Sequence, residues 1–158
     1  AERAQTLDFS HPYVVIEANF LVRHDDDFLT NDDVDKAGTR IAVSERSAYD
    51  LWLTDHFSKA QIIRASSIQA AHDLFLEKKV DVLASLKPKL LEEVANHSSL
   101  RMIDPPFTAV KQSIGLAKGK AESIAFINAL IAQSIENGWI AAQLETHGMT
   151  GKLGIDPN

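Results

Sequence analysis

Short apolar runs alternate along this chain with stretches of helical periodicity. Tyr13 to Val22 is dense in Val, Ile, Phe and Leu and predicts a long strand, followed by the solvated turn His24-Asp25-Asp26-Asp27. Thr30-Asn31-Asp32-Asp33 offers capping side chains and an acidic first turn, which predicts a short helical turn over 32–37 ending at Gly38. Arg40 to Ser44 reads as a strand and Ser47 onward as a helix, with Ala48, Leu51, Leu53 and Phe57 spaced for one buried face. The unit then repeats: strand over Gln61 to Ala65, helix over Ser67 to Lys78, strand over Val80 to Ser85, and a helix starting near Pro88, where a missing N–H costs nothing. Leu100 to Ile103 predicts another strand, Asp104-Pro105-Pro106 breaks the regular structure, and Phe107 to Leu116 predicts a single returning strand. Ser123 to Asn137 carries Ile124, Ile127, Ala129, Leu130, Ile131 and Ile135 on a broad apolar face, Asn137-Gly138 stops it, and Trp139 to His147 predicts a last helix. Gly148, Gly151 and Gly154 predict a loosely structured tail. Alternation of short strands and amphipathic helices gives an α/β fold with a mostly parallel sheet flanked by helices.

Composition narrows the function more than the fold. The 158 residues are 45% hydrophobic and 24% charged, a globular balance. Sixteen Lys and Arg face 22 Asp and Glu, a formal charge of -6, with no basic stripe to track a phosphate backbone, so nucleic acid is excluded as the expected partner. No apolar run approaches the roughly 20 residues that span a bilayer. Zero cysteines exclude disulfides and thiol nucleophiles and say nothing of compartment. The six histidines show no paired metal spacing, and neither a Gly-rich phosphate loop nor a serine elbow is present, so no cofactor or metal is expected. His24 with Asp25, Asp26 and Asp27 resembles a hard-metal cluster only in composition, because adjacent residues of an extended segment point to alternate sides. Trp52 and Phe57 are assigned to the core.

Four segments carry a resemblance to a known family. They are Glu2-Arg3-Ala4-Gln5-Thr6-Leu7-Asp8-Phe9-Ser10-His11-Pro12-Tyr13, the stretch Gly38 to Asp50, Lys79-Val80-Asp81-Val82-Leu83-Ala84, and Ser113-Ile114-Gly115-Leu116-Ala117-Lys118-Gly119. In this order they resemble the amino-acid-binding-like periplasmic solute-binding proteins of bacterial ABC transporters, over residues 1 to 148. The resemblance implies a two-lobed, periplasmic binding protein-like fold with lobe one incomplete at its front end: 1–19 as hinge and end of lobe one, 20–112 as lobe two, and 113–158 as return crossover and C-terminal helices. It further implies a periplasmic, non-enzymatic protein that binds a small-molecule ligand in an interlobe cleft and hands it to membrane permease subunits. Self-association is expected if apolar faces of the C-terminal helices are left uncovered. A sensor domain of a membrane receptor and a dehydratase-type enzyme on the same scaffold, with Glu45 as the nearby acid, are the alternatives.

Candidate ligand residues lie at strand-to-helix turns, where open α/β sheets bind their ligands. The Ser47 hydroxyl and the N–H groups of Ser47 and Ala48 suit a carboxylate at a helix N-terminus, although a serine there equally suits an N-cap. Ser47 matches the hydroxyl position of the resembling family, whereas Arg46 replaces its glycine and offers a guanidinium fork for a carboxylate. The family's ammonium-pairing aspartate falls here on Leu86, flanked by Lys87. An apolar side chain does not offset the desolvation of an ammonium, so an ordinary α-amino acid is disfavoured and a small organic acid or other polar solute favoured. Asp81, earlier in that strand, is expected to face away. Ser66 and Ser67 open the next helix, as caps or as ligand neighbours. Tyr13, near Ser10 and His11, and Gln112 stand by the two crossings and complete the candidate set, Tyr13 with hinge packing as its competing role.

Overall fold

A computed structural model of the chain describes residues 3–156; Glu2, at the head of the first motif, and Pro157 and Asn158 lie outside the described residues. The strands are β1 (Leu7–Phe9), β2 (Val14–Arg23), β3 (Arg40–Ser44), β4 (Gln61–Ala65), β5 (Val82–Leu86), β6 (Leu100–Met102), β7 (Thr108–Gln112), β8 (Gly115–Ala117) and β9 (Gly154–Ile155). The helices are α1 (Ala48–His56), α2 (Ile68–Leu76), α3 (Lys87–Asn96), α4 (Ala121–Glu136) and α5 (Trp139–Thr146). Contacts divide the chain into one unit of Ala1–Ile16 with Lys111–Asn158 and a second of Glu17–Val110.

In the second unit the strand order is β4-β3-β5-β2-β6. β3 runs parallel to both β4 and β5, and β2 is antiparallel to β5 and β6. Alternation along the strands sorts side chains onto the two faces. Phe20, Val22, Ile41, Val43, Val82 and Ala84 pack with Tyr49 and Leu53 of α1 and with Phe107. On the opposite face Leu21, Ala42 and Leu83 meet Ala71 and Phe75 of α2 and Leu90 of α3. Phe20 stacks on Phe107 at 4.2 Å, and Phe20 and Phe75 are fully buried. Each such ring contributes about 2–3 kcal/mol by removal from water. Arg23 closes the end of α2: its Nη2 donates to the Phe75 carbonyl at 2.8 Å and its guanidinium lies 4.5 Å from the Phe75 ring centre.

The parallel trio β4-β3-β5 is what positions a site. Parallel strands deliver their carboxyl ends to one edge, so the turns before α1, α2 and α3 share it. Ser44 is in register with Ala65, and the Glu45 N–H donates to the Ala65 carbonyl at 2.9 Å, tying the first two turns together.

In the first unit β1 pairs antiparallel with β8. Gly115 allows that approach, since a Cβ there would stand 3.2 Å from the Phe9 ring. Gly138 takes φ 76° between α4 and α5. Among the described residues no helix is long and apolar enough to cross a membrane.

Several sequence expectations are corrected. Leu51 is 60% exposed, because the buried side of α1 is set by Tyr49, Asp50 and Leu53. The helical turn foreseen over 32–37 is one 3-10 turn, Asn31–Asp33. The single strand expected over Phe107 to Leu116 is two, β7 and β8, and between them Ser10 takes over pairing: its N–H donates to the Ile114 carbonyl and its hydroxyl accepts the Ile114 N–H, both at 2.9 Å. The tail is pinned. Ile155 and Gly154 pair with Val14 and Val15, and buried Asp156 meets Lys111 at 2.8 Å.

Candidate functional site

The turn from β3 to α1 is built by a reciprocal cap. Ser47 holds an extended conformation and its Oγ accepts the Asp50 N–H at 3.0 Å, while Asp50 Oδ2 accepts the Arg46 N–H at 2.8 Å. This resembles a capping box shifted by one residue, and it fixes Arg46 at φ 59°, a left-handed conformation strained for any residue with a Cβ. Asp50 is buried, and its second oxygen lies 2.9 Å from Arg64 Nε, a charge contact out of line for a hydrogen bond. Arg64 continues to the Thr54 hydroxyl at 2.8 Å.

Two features of this turn suit negative charge. The N–H groups of the first helical turn project from the α1 terminus, and among the described residues the exposed Ala48 N–H has no acceptor, whereas the Ser47 N–H makes a long 3.4 Å bond to the Ser44 carbonyl. Arg46 is exposed beside them.

Behind the turn lies a polar chain inside the core. The Tyr49 hydroxyl, on a residue 3% exposed, makes no hydrogen bond. Burial pushes the phenol pKa up; the Ser47 and Ser85 hydroxyls pull against it and Asp50 adds to it, so Tyr49 stays a donor at neutral pH. Ser85 Oγ is 3.1 Å from Nε2 of buried His72, and His72 Nδ1 is 2.8 Å from Glu93 Oε1. His97 Nε2 reaches the other Glu93 oxygen at 3.6 Å. Sequence reasoning missed Tyr49, Ser85, His72 and Glu93. The signal was faint: a serine inside the apolar run of β5, and a histidine on the apolar face of α2 between Ala71 and Phe75.

The sequence-predicted residues distribute as follows. Arg46, Ser47 and Ala48 form the α1 turn, and Ser66, exposed, sits on the neighbouring turn joined to it through Glu45 and Ala65. Ser67 is the cap of α2, its Oγ accepting the Ala70 N–H at 3.0 Å. Leu86 ends β5 as the residue before α3, with no side-chain cap, and packs on the core. Lys87 is taken up by Glu17 of β2, an acid the sequence reading did not single out. Ala18 is in register with Leu86, which sets Glu17 beside that end of β5. Asp81 sits at the opposite end, bidentate to Arg40 at 2.8 and 3.1 Å. Tyr13 and Gln112 belong to the other unit, where the Tyr13 N–H donates to the Gln112 carbonyl at 3.0 Å. There Tyr13 lines an apolar groove of about 440 Å³ with Leu130, Trp139 and Ile140.

Comparison with known proteins gives this geometry a setting. The profile of the bacterial extracellular solute-binding proteins, family 3, matches residues 1–150. Among solved structures, the chain is similar to a mutant of ArgBP from T. maritima (20% identity, TM-score 0.74), covering 92% of this chain and 63% of that one. It is similar to the cysteine-binding protein of Campylobacter jejuni (18%, TM-score 0.76), covering 92% and 58%. A third is the amino acid ABC transporter substrate-binding protein AbpA of Streptococcus pneumoniae bound to L-arginine (18%, TM-score 0.76), covering 92% and 62%. The chain thus spans about three fifths of these relatives' length. No curated protein matches it.

Proposed function

Because this chain belongs to the bacterial extracellular solute-binding proteins of family 3, we propose that it is the solute-binding part of an ABC transporter, with Glu17–Val110 as the lobe that carries the carboxylate-binding turn. The observation that carries this reading is the α1 terminus, where the exposed Ala48 N–H has no acceptor and lies in sequence beside the Ser47 hydroxyl and the exposed Arg46. Asp50 is nearby, but its charge is engaged by the Arg46 N–H and by Arg64.

The solute is a small organic acid or similar polar molecule in preference to an α-amino acid. Leu86 offers no carboxylate to an ammonium, and Glu17, the nearest acid at that end of β5, is neutralised by Lys87. Similar structures that are cysteine-binding or hold L-arginine support an amino-acid-type class, and Leu86 is the proposed point of departure from it. Membrane permease subunits are the proposed partners, and delivery across the membrane the role. One structural neighbour is an ancestral amino-acid-binding protein, a precursor of cyclohexadienyl dehydratase; against such chemistry here stands the exposed position of Glu45, the acid nearest the turn, outside any enclosed pocket of the described residues.

The test is amide-resolved NMR of the labelled chain titrated with pyruvate, succinate, L-arginine and putrescine. Shifts confined to Ser47, Ala48 and Ser66 with the carboxylates, and absent with putrescine, are the expected result. Carboxylates that move no amide of the α1 turn overturn the reading.

A further inference from the structure

Helix α4 carries almost no charge on a surface that faces solvent. Charged residues make up 24% of the sequence, yet α4 has none from Ser123 to Ile135, and its charges are Glu122 and Glu136 near the two ends. A solvated helix face ordinarily carries polar and charged side chains. Here Phe126 and Leu130 are exposed instead, with exposed Ala125 and Ala129 beside them, small enough to admit a second helix backbone.

Two hollows flank this face, both within the first unit. One, of about 670 Å³, is lined by Leu116, Lys120, Ser123, Phe126 and Ile127. The other is the apolar groove of about 440 Å³ that Leu130 shares with Tyr13, Trp139 and Ile140. Phe126 thus projects one helical turn before the groove at Leu130. A projecting ring and a groove side by side on one face complement a copy of themselves, because a two-fold axis seats each ring in the other's groove.

Charge sets the direction of such a pair. Lys120 is the cap position of α4, without a side-chain cap bond, and Glu136 closes a last turn that has no basic residue. Each stands at the end of its own helix that its charge disfavours. Lys120 precedes Phe126 by as many residues as Glu136 follows Leu130. In an antiparallel pair, the register that sets Phe126 against the partner's Leu130 therefore brings Lys120 level with the partner's Glu136, at the negative end of that helix. A parallel pair would set like ends together.

We propose that the exposed face of α4 is a self-association surface through which two copies of this chain pair antiparallel, Phe126 of each entering the groove between α4 and α5 of the other. One helix face makes a small interface, so the dissociation constant is on the order of 10 µM. Well below that concentration the copies stand apart and Phe126 lies in solvent.

Sedimentation velocity of the chain from about 1 to 200 µM is the test. The expected result is a shift from 17.4 kDa toward twice that mass as concentration rises. Phe126→Ser weakens association at least about tenfold, as for an aromatic residue at the centre of an interface, with the circular dichroism spectrum unchanged. Lys120→Glu and Glu136→Lys each weaken it several-fold, and an equimolar mixture of these two variants regains the wild-type association, since each then offers the charge the other lacks. A single species of 17.4 kDa at every concentration overturns the pairing and assigns the face to a different polypeptide. Association that Phe126→Ser leaves unchanged overturns the surface, and association that the mixture does not regain overturns the antiparallel register.

Discussion

The two units of this chain solve the burial problem unequally. Glu17–Val110 covers both faces of its sheet with helices and hides Phe20, Phe75, Leu53 and Leu83 completely. In the other unit Ile131 and Ile140 are the helical residues that reach burial, while Phe126 is 70% and Trp139 58% exposed, with Leu130 and Ile114 also in solvent. Helix periodicity is present in both, so amphipathic sequence alone does not make a core. A sheet with cover on both faces makes one. The density of the second unit is also what permits a buried tyrosine and histidine in it, with a half-buried glutamate beside them, since polar groups away from water keep a fixed geometry only where the surrounding packing holds them.

The sharpest way to break the contrast is truncation of matched aromatic residues. Phe75→Ala should cost about 3–5 kcal/mol in a urea unfolding curve read by Trp52 fluorescence, and Phe126→Ser should change it by less than about 0.5 kcal/mol. Equal losses would show that the exposed helix face is buried in solution. Next in size, Asp50→Ala removes the latch on Arg46 and the partner of Arg64, and should cost about 1–2 kcal/mol in the same assay while loosening the Ser47 and Ala48 amides in hydrogen exchange. Arg46→Gly goes the other way. Relief of the left-handed strain should offset or exceed the entropy of glycine, moving stability by at most about 1 kcal/mol, and carboxylate affinity should drop several-fold with loss of the guanidinium. A calorimetric titration that keeps full affinity would remove Arg46 from the site.

The smallest effect concerns acid. The Arg40 fork holds the Asp81 carboxyl below its usual range, against some desolvation, with help from the Arg40 N–H. A carboxyl depressed in the folded state contributes stability that is present above its unfolded pKa, about 3.9, and lost as pH falls through the folded value. Arg40→Gln should therefore cost under about 1 kcal/mol at pH 7, because solvent reaches and screens the half-exposed pair, and the variant's acid unfolding midpoint should shift upward. An unmoved midpoint would show that the pair adds nothing at this pole of the sheet.

What could be read from the sequence followed range of interaction. Arg40–Ser44 and Gln61–Ala65 emerge at the predicted bounds, and Ser47 and Ser67 cap their helices, because five-residue apolar runs and capping hydroxyls are local signals. Ser10 splitting the last long strand, Ile155 fastening to Val14 and Glu17 claiming Lys87 are each decided by partners 70 or more residues away. The α1 turn was legible as a candidate site for the same local reason that made its cap legible. The cluster of Ser85, His72 and Glu93 was not, since three residues on three elements meet only after the sheet has formed.

The strands that bound the second unit also settle how separable it is. β2 enters it and β7 leaves it, and the two pair, with the Phe107 N–H donating to the Ala18 carbonyl at 3.0 Å. A segment whose entrance and exit lie side by side behaves as a cassette: it can be lifted out and grafted between two neighbouring strands of an unrelated host without leaving a gap to bridge. The α1 turn would travel with it intact, so whatever that turn recognises can be moved, by recombination in nature or by transplantation at the bench, as one continuous piece of gene.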